Sequence, residues 1–281
     1  MPTIQTSGAS PVTLYYQDSG GSGPAVVLIH GWPSSHKMWE FQMAPLVEAG
    51  YRVVAYDRRG FGASSKPWTG YDYDTMASDL NDLLTALDLR DVTLVGFSMG
   101  GGEVARYMSR YGTGTDTTGR VAKAALVSAV TPFLVQTDDN PDGVPMEVFD
   151  DMRAGVRKDR PAFLHDFLRT FYGVGVLRHP VSEAFLDYNF MVTVHAQPHA
   201  TYECVGAFAE TDFRADMPAF TVPTLVVHGD ADKTVPIEAS GARAAEMIPG
   251  ARYEVISGAP HGLVATHADA FNRILLDFLA S

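Results

Sequence analysis

Short apolar runs recur along the chain, each ended by glycine, proline or a polar cluster. Ala25 to Ile29 (AVVLI) has no polar position on either side and is too short for a helix. It predicts a strand covered on both faces of a parallel sheet. Tyr51–Tyr56, Val92–Val95, Val121–Val127, Val222–His228 and Arg252–Ile256 predict further strands, and Val12–Gln17, rich in β-branched and aromatic residues, one more. Between them the period changes. Trp39, Met43, Leu46 and Val47 follow i, i+4, i+7, i+8 and predict an amphipathic helix closed by Gly50. Met76, Leu80, Leu83, Leu84 and Leu87 predict a second, with Asp74 as its N-cap. Glu103–Arg110 and Ile237–Ile248 read as helices, and Val264, Ala268, Phe271, Leu275 and Phe278 mark the last one.

Strand and helix alternating with short connections predict an α/β fold, a mostly parallel sheet with helices on both faces. The rhythm breaks at Thr131-Pro132. From there to Thr221 only helical stripes appear: Met146–Val156, Ala162–Phe171, Val181–Val194 and His199–Phe208. The chain thus divides into a core first part (1–130), a helical cap insertion (131–221) and a core second part (222–281). Phe163, Phe167, Phe171, Phe185, Phe190 and Phe208 give the cap an aromatic inner face, and some of them should line a pocket between cap and sheet.

The chain has 281 residues, enough for one large α/β domain carrying an insertion, and 46% are hydrophobic, enough for a core. The net charge is −12, with no basic cluster longer than Arg58-Arg59 or Arg157-Lys158, which argues against nucleic acid and anionic membranes as partners. The single cysteine, Cys204, excludes an intrachain disulfide and a cysteine metal cluster. The first residues show no signal-peptide pattern and no window reaches ~18 apolar residues, so the expectation is a soluble, cytoplasmic protein without membrane contact.

The chemistry concentrates at Gly96-Phe97-Ser98-Met99-Gly100, a G-x-S-x-G between an apolar run and a helical segment. That context displays a serine at the tip of a sharp strand-to-helix turn, where side chains two residues either side would collide with strand and helix. A serine needs a neighbouring base, and the base a third group to hold its tautomer. In an open α/β sheet these gather after strands, in the order serine, acid, histidine. Asp230 and Asp232 leave one strand and His261 leaves the next. Asp232 is the preferred acid and Asp230 the alternative. Of nine histidines, His261 is placed best; His267 falls inside the last helix, His228 precedes both acids and His30 adjoins another loop. Two N–H donors for an oxyanion are expected from the backbones of Met99, at the helix N-terminus, and Trp32, in the loop after Ala25–Ile29. His195 and His199 have i, i+4 spacing, but no glutamate follows His195 and Pro198 interrupts the segment, so no metal is expected.

Together, His30-Gly-Trp-Pro33, Tyr56-Asp-Arg-Arg-Gly-Phe-Gly62, Gly96-Phe-Ser-Met-Gly-Gly-Gly102, Val227-His-Gly-Asp-Ala-Asp232 and Ala259-Pro-His-Gly262 resemble the α/β-hydrolase fold. More narrowly, the set is similar to bacterial aryl esterases and cofactor-free haloperoxidases, also called non-haem chloroperoxidases or perhydrolases. The resemblance runs from about Val12 to Phe278. The Gly112–Gly119 loop is a departure, longer than the family's. The resemblance implies a triad of Ser98, Asp232 and His261, oxyanion donors at Trp32 and Met99, no metal, no haem, no cofactor, and self-association into a homo-oligomer. It implies a small ester or short carboxylic acid as substrate and hydrogen peroxide as a second nucleophile, giving peracid. The pocket is expected to include Pro33, Val130, Phe133 and Phe167. Pro33 restricts Trp32 to extended backbone, which would hold the Trp32 carbonyl beside the acyl site, where it accepts a hydrogen bond from peroxide. Ser98 excludes the aspartate-nucleophile dehalogenases and epoxide hydrolases of this fold. A lactonase or carbon–carbon bond hydrolase uses the same triad, and a non-catalytic ligand receptor is the reading of another class.

Overall fold

The computed structural model describes residues 2–8, 10–112 and 120–281. Among these, the strands are β1 (Thr3–Gln5), β2 (Thr13–Asp18), β3 (Ala25–Ile29), β4 (Arg52–Tyr56), β5 (Val92–Phe97), β6 (Val121–Val127), β7 (Thr224–Gly229) and β8 (Arg252–Ile256). They form one eight-stranded sheet in the order β1-β2-β4-β3-β5-β6-β7-β8. β1 and β2 run antiparallel to their neighbours, and every pair from β4 to β8 is parallel. β3, β5 and β7 are buried at every residue, which is why β3 reads as an unbroken apolar run and the other two as mostly apolar ones.

The helices are α1 (Glu40–Glu48), α2 (Tyr73–Ala86), α3 (Met99–Tyr111), α4 (Met146–Phe171), α5 (Glu183–Val194), α6 (Pro198–Glu210), α7 (Gly241–Met247), α8 (Leu263–Thr266) and α9 (Ala268–Ala280). α2, α3 and α7 cover one face of the sheet, packing with Val27 and Ile29. α1 and α9 cover the other, packing with Val26 and Leu28. The segment between β6 and β7 carries α4, α5 and α6, whose apolar residues join both clusters. No helix among the described residues is long and apolar enough to cross a membrane.

Several boundaries differ from the periodicity, each for a tertiary reason. On α1, Val47 is exposed and Gln42 takes its place inside, because the Gln42 amide donates to the Val264 carbonyl at 2.8 Å and to Asn272 Oδ1 at 3.0 Å. The cap of α2 is Asp72, which accepts the Thr75 N–H at 2.8 Å. Asp74 instead pairs with Arg106 and Arg110 on α3. α3 starts at Met99 rather than Glu103. The expected Met146–Val156 and Ala162–Phe171 helices run together as α4, bent where Asp159 turns extended two residues before Pro161. Ile237–Ile248 divides into a 3₁₀ turn (Ile237–Ala239) and α7, and the last helix breaks at His267. Of the Gly112–Gly119 loop, residues 113–119 lie outside the described residues.

Candidate active site

β5 ends at Phe97 and α3 begins at Met99, so one residue, Ser98, makes the whole turn. Its backbone sits at φ 52° and ψ −119°, a region that costs a non-glycine residue about 1–3 kcal/mol. The packing around it enforces this. A Cβ at Gly96 would strike the Gly100 carbonyl oxygen, and one at Gly100 would strike that of Ile29. The turn is fastened by the Ser98 N–H donating to the Val127 carbonyl at 2.8 Å.

His261 lies in the loop between β8 and α8, its ring flanked by Phe97 at 5.0 Å and Phe171 at 4.9 Å. Its Nε2 is 2.9 Å from Ser98 Oγ, and its Nδ1 is 2.6 Å from Asp232 Oδ2. A carboxylate only accepts, so Nδ1 carries the proton and Nε2 accepts from the serine hydroxyl. Asp232 follows β7. Its Oδ1 accepts the N–H groups of Thr234 at 2.9 Å and Val235 at 2.8 Å. Burial raises the pKa of Asp232, but attraction to His261 and the hydrogen bonds from His228 and His261 outweigh it. The net direction is well below the usual carboxylate range, so Asp232 stays charged.

Asp230 does a different job. It accepts from the Gly258 N–H at 2.5 Å and the Ser257 hydroxyl at 3.1 Å, tying the β7 end to the loop that carries His261. His267 sits at the α8–α9 break with Thr266 Oγ1 2.9 Å from its Nδ1. His228, set aside by chain order, is fully buried with Nε2 2.9 Å from the Val235 carbonyl and 3.2 Å from Asp232 Oδ2. It is a second imidazole on the acid, and its sequence signal was only a histidine ending an apolar run.

The loop after β3 approaches Ser98 closely: a Cβ at Gly31 would lie 2.7 Å from the Phe97 ring and 3.1 Å from Ser98 Cβ. Trp32 is buried beside it, its indole N–H donating to the Thr201 carbonyl at 3.0 Å and its ring edge-on to Phe167 and Phe208. The Trp32–Pro33 peptide bond is cis. The backbone N–H groups of Trp32 and Met99 donate to no protein acceptor among the described residues. Behind this loop lies a buried network. Arg58 donates to Glu103 Oε2 at 2.7 Å and to the His30 carbonyl at 2.9 Å, and Tyr56 donates to the same carboxylate. Burial first, then the Arg58 charge, push the His30 pKa down to about 3, so His30 is neutral.

A cavity of about 40 Å³ opens on Ser98 and His261. Trp32, Val130, Phe149, Phe167, Phe208 and Val235 form much of its wall. Of the four residues expected in the pocket, Val130 and Phe167 border this cavity. Pro33 and Phe133 do not border it. Pro33 faces a separate narrow cavity with Gly31, Met38 and Leu168, and Phe133 packs under the Arg214 guanidinium at 5.0 Å. Of the six cap phenylalanines, Phe167 and Phe208 reach this wall. Two larger open clefts, one beside His36 and Asp57 and one beside Trp68 and His199, lie away from Ser98. Among the described residues no group of three or more His, Cys, Asp or Glu side chains could hold a metal; His199 stacks on Trp68 with ring centroids 3.9 Å apart.

A serine on the β5–α3 turn of a mostly parallel sheet, facing a histidine after the last strand, defines an α/β hydrolase of the serine type. Residues 24–268 match the alpha/beta hydrolase fold family, and the chain belongs to it. Over 270 residues it is 47% identical to a non-heme chloroperoxidase of Kitasatospora aureofaciens, covering 95% of this chain and 96% of that one. Over 272 residues it is 39% identical to a bifunctional esterase/perhydrolase of Acinetobacter calcoaceticus, covering 96% and 97%. The crystal structure of a bromoperoxidase from Bacillus anthracis superposes with a TM-score of 0.93 at 49% identity, covering 100% of both chains.

Proposed function

We propose that the protein is a serine hydrolase of small aryl and alkyl carboxylic esters that also forms peracids from its acyl-enzyme and hydrogen peroxide. The observation that carries this reading is the continuous Ser98–His261–Asp232 chain at 2.9 and 2.6 Å beside two uncommitted backbone N–H groups. The names of the relatives, chloroperoxidase and esterase/perhydrolase, support the two outcomes.

His261 Nε2 takes the Ser98 proton as Oγ attacks the ester carbonyl. Asp232, charged and held by two backbone N–H groups, keeps the ring oriented and stabilises the imidazolium. The N–H groups of Trp32 and Met99 receive the oxyanion, and the N-terminus of α3 adds its dipole. The intermediate expels the alcohol, which leaves with the proton from His261. Water then attacks the acyl-Ser98 to give the acid. Hydrogen peroxide, attacking in its place, gives the peracid and free Ser98. The peracid oxidises halide in solution to hypohalous acid and reverts to the carboxylic acid. Residues 131–221 act as a cap that closes the acyl cavity, whose size is far below the roughly 300–1,000 Å³ of pockets for drug-sized ligands and favours short acyl chains.

The test is a side-by-side assay on purified protein: phenyl acetate hydrolysis, and bromination in acetate buffer with hydrogen peroxide. Both activities are expected, and both should fall by about 10³-fold or more in Ser98→Ala. Bromination that persists in Ser98→Ala, or turnover of a lactone or vinylogous diketone far above phenyl acetate, would overturn the reading.

A further inference from the structure

The cleft beside His36 has a volume of about 410 Å³ and shares no lining residue with the cavity at Ser98. That volume lies within the roughly 300–1,000 Å³ of small-molecule sites. A second histidine–carboxylate couple stands in its wall. Asp57 is fully buried, and its Oδ1 accepts the His36 backbone N–H at 2.7 Å and lies 2.7 Å from His36 Nδ1. Its Oδ2 accepts the Ala63 N–H at 2.8 Å. Burial raises the pKa of Asp57, but the bond from His36 outweighs it, so the carboxyl lies below its ordinary value and stays charged. A carboxylate only accepts, so Nδ1 carries the proton, as on His261. The ring packs against Tyr15, centroids 5.0 Å apart, and its side chain is 12% exposed. Nε2, on the far side of the ring from Asp57, has no hydrogen-bond partner among the described residues and is not closed off from solvent. Lys37 and His195 border the same cleft, both exposed and in no ion pair among the described residues. The one carboxylate in the wall, Asp57, is spent on His36. On a chain of net charge −12 this recess is locally cationic. α5 supplies its apolar part, Tyr188 and Met191, 38% and 55% exposed.

We propose that this cleft is a second binding site, for an organic monocarboxylate with an apolar tail. Lys37 and His36 Nε2 hold the carboxylate by charge-assisted hydrogen bonds, and Tyr188 and Met191 cover the tail. The proton balance is definite. With Nδ1–H on Asp57, a neutral His36 offers only a lone pair at Nε2, so a carboxylate arriving as the anion binds with one proton taken from solvent, shared between its oxygen and Nε2. The ionisable groups around the ring are Asp57 behind it, Tyr15 on β2 against its face, and Lys37, His195 and Tyr188 in the cleft. Neutral His30 lies beyond Asp57, and Glu40 lies toward Tyr188. The proposal does not depend on the role of Ser98.

Isothermal titration at pH 7.5 compares 3-phenylpropionate with acetate, which lacks the tail, and with 3-phenylpropionamide, which lacks the charge. Saturable binding of 3-phenylpropionate below about 10 mM is expected, with the other two at least about tenfold weaker. Lys37→Glu should weaken binding about tenfold or more and Lys37→Arg about threefold at most, both with the parent's thermal melt. His36→Gln keeps a donor for Asp57 but presents no ring nitrogen. Binding should weaken about tenfold, and the proton uptake per ligand, read from the heat in buffers of different ionisation enthalpy, should fall to less than about half the parent's. A carboxylate bound at the Ser98 cavity instead would be indifferent to Lys37→Glu, and that result would overturn the proposal. So would equal affinity for the amide, unchanged proton uptake in a folded His36→Gln, or no saturable binding up to about 10 mM.

Discussion

His30 offers a quantitative test of the buried network behind the loop that carries Trp32. The ring is fully buried. Its Nε2 accepts the Arg58 N–H at 3.0 Å, and its Nδ1 lies 2.8 Å from the Gly31 carbonyl. That combination requires the neutral Nδ1–H tautomer. A proton on Nε2 would lose the Arg58 bond and place a second cation against the guanidinium, and burial together with that charge lowers the pKa from 6.5 to about 3. Between these values the unfolded chain binds a proton that the folded chain refuses. Stability from this group is therefore complete above pH 6.5 and is lost as pH falls toward 3. At ~1.4 kcal/mol per pH unit, the loss between pH 6.5 and 4.5 is at most about 2.7 kcal/mol. His30→Asn keeps one donor and one acceptor but does not titrate. Its unfolding free energy at pH 7.5 should be lower than the parent's by about 2–3 kcal/mol. Over the acid range, however, its curve should be flatter by up to one proton. Urea unfolding at half-unit steps from pH 4.5 to 7.5 reads both curves. Parallel slopes below pH 6.5 would show that His30 does not titrate on unfolding and would refute the neutral-ring assignment.

Other substitutions separate roles that the sequence left side by side. Asp232→Asn should cut kcat for phenyl acetate by about 10⁴-fold, and Asp230→Asn by less than about tenfold while lowering thermal stability; equal losses would remove the distinction between them. His228→Leu withdraws a donor from Asp232, and kcat should fall roughly ten- to a hundredfold with KM little changed and the acidic limb of the pH–rate profile displaced. An unmoved profile would leave His228 a packing residue. Pro33→Leu should lower the perhydrolysis-to-hydrolysis ratio by about tenfold if the Trp32 carbonyl engages peroxide; an unchanged ratio would exclude that contact.

The strands and the serine turn were legible because local pattern and tertiary role coincide there. β3, β5 and β7 are buried on both faces, so their apolar runs had no competing explanation. Gly96 and Gly100 mark Ser98 because adding a single carbon at either position brings it into backbone atoms. What failed to show was set by contacts distant in sequence. β1 is three residues long and is held by pairing with β2, which a three-residue window cannot reveal. Gln42 is inside and Val47 outside because of partners on the last helices, more than two hundred residues away. Pro33 follows Trp32 directly and Phe133 lies three residues after Val130, yet both face elsewhere. His228, four residues before Asp232, looked ordinary because its significance comes from a shared polar atom rather than residue type.

Covalent catalysis requires Ser98 to be the nucleophile, and a reagent that phosphonylates an activated serine identifies that residue. The protein would be incubated with a small alkyl fluorophosphonate, and its intact mass and peptide map recorded alongside residual phenyl acetate hydrolysis. One adduct per chain is expected, located on Ser98, formed in step with loss of both hydrolysis and bromination, and absent from Ser98→Ala. Full inactivation with the adduct on another residue, or undiminished turnover with Ser98 fully modified, would contradict it.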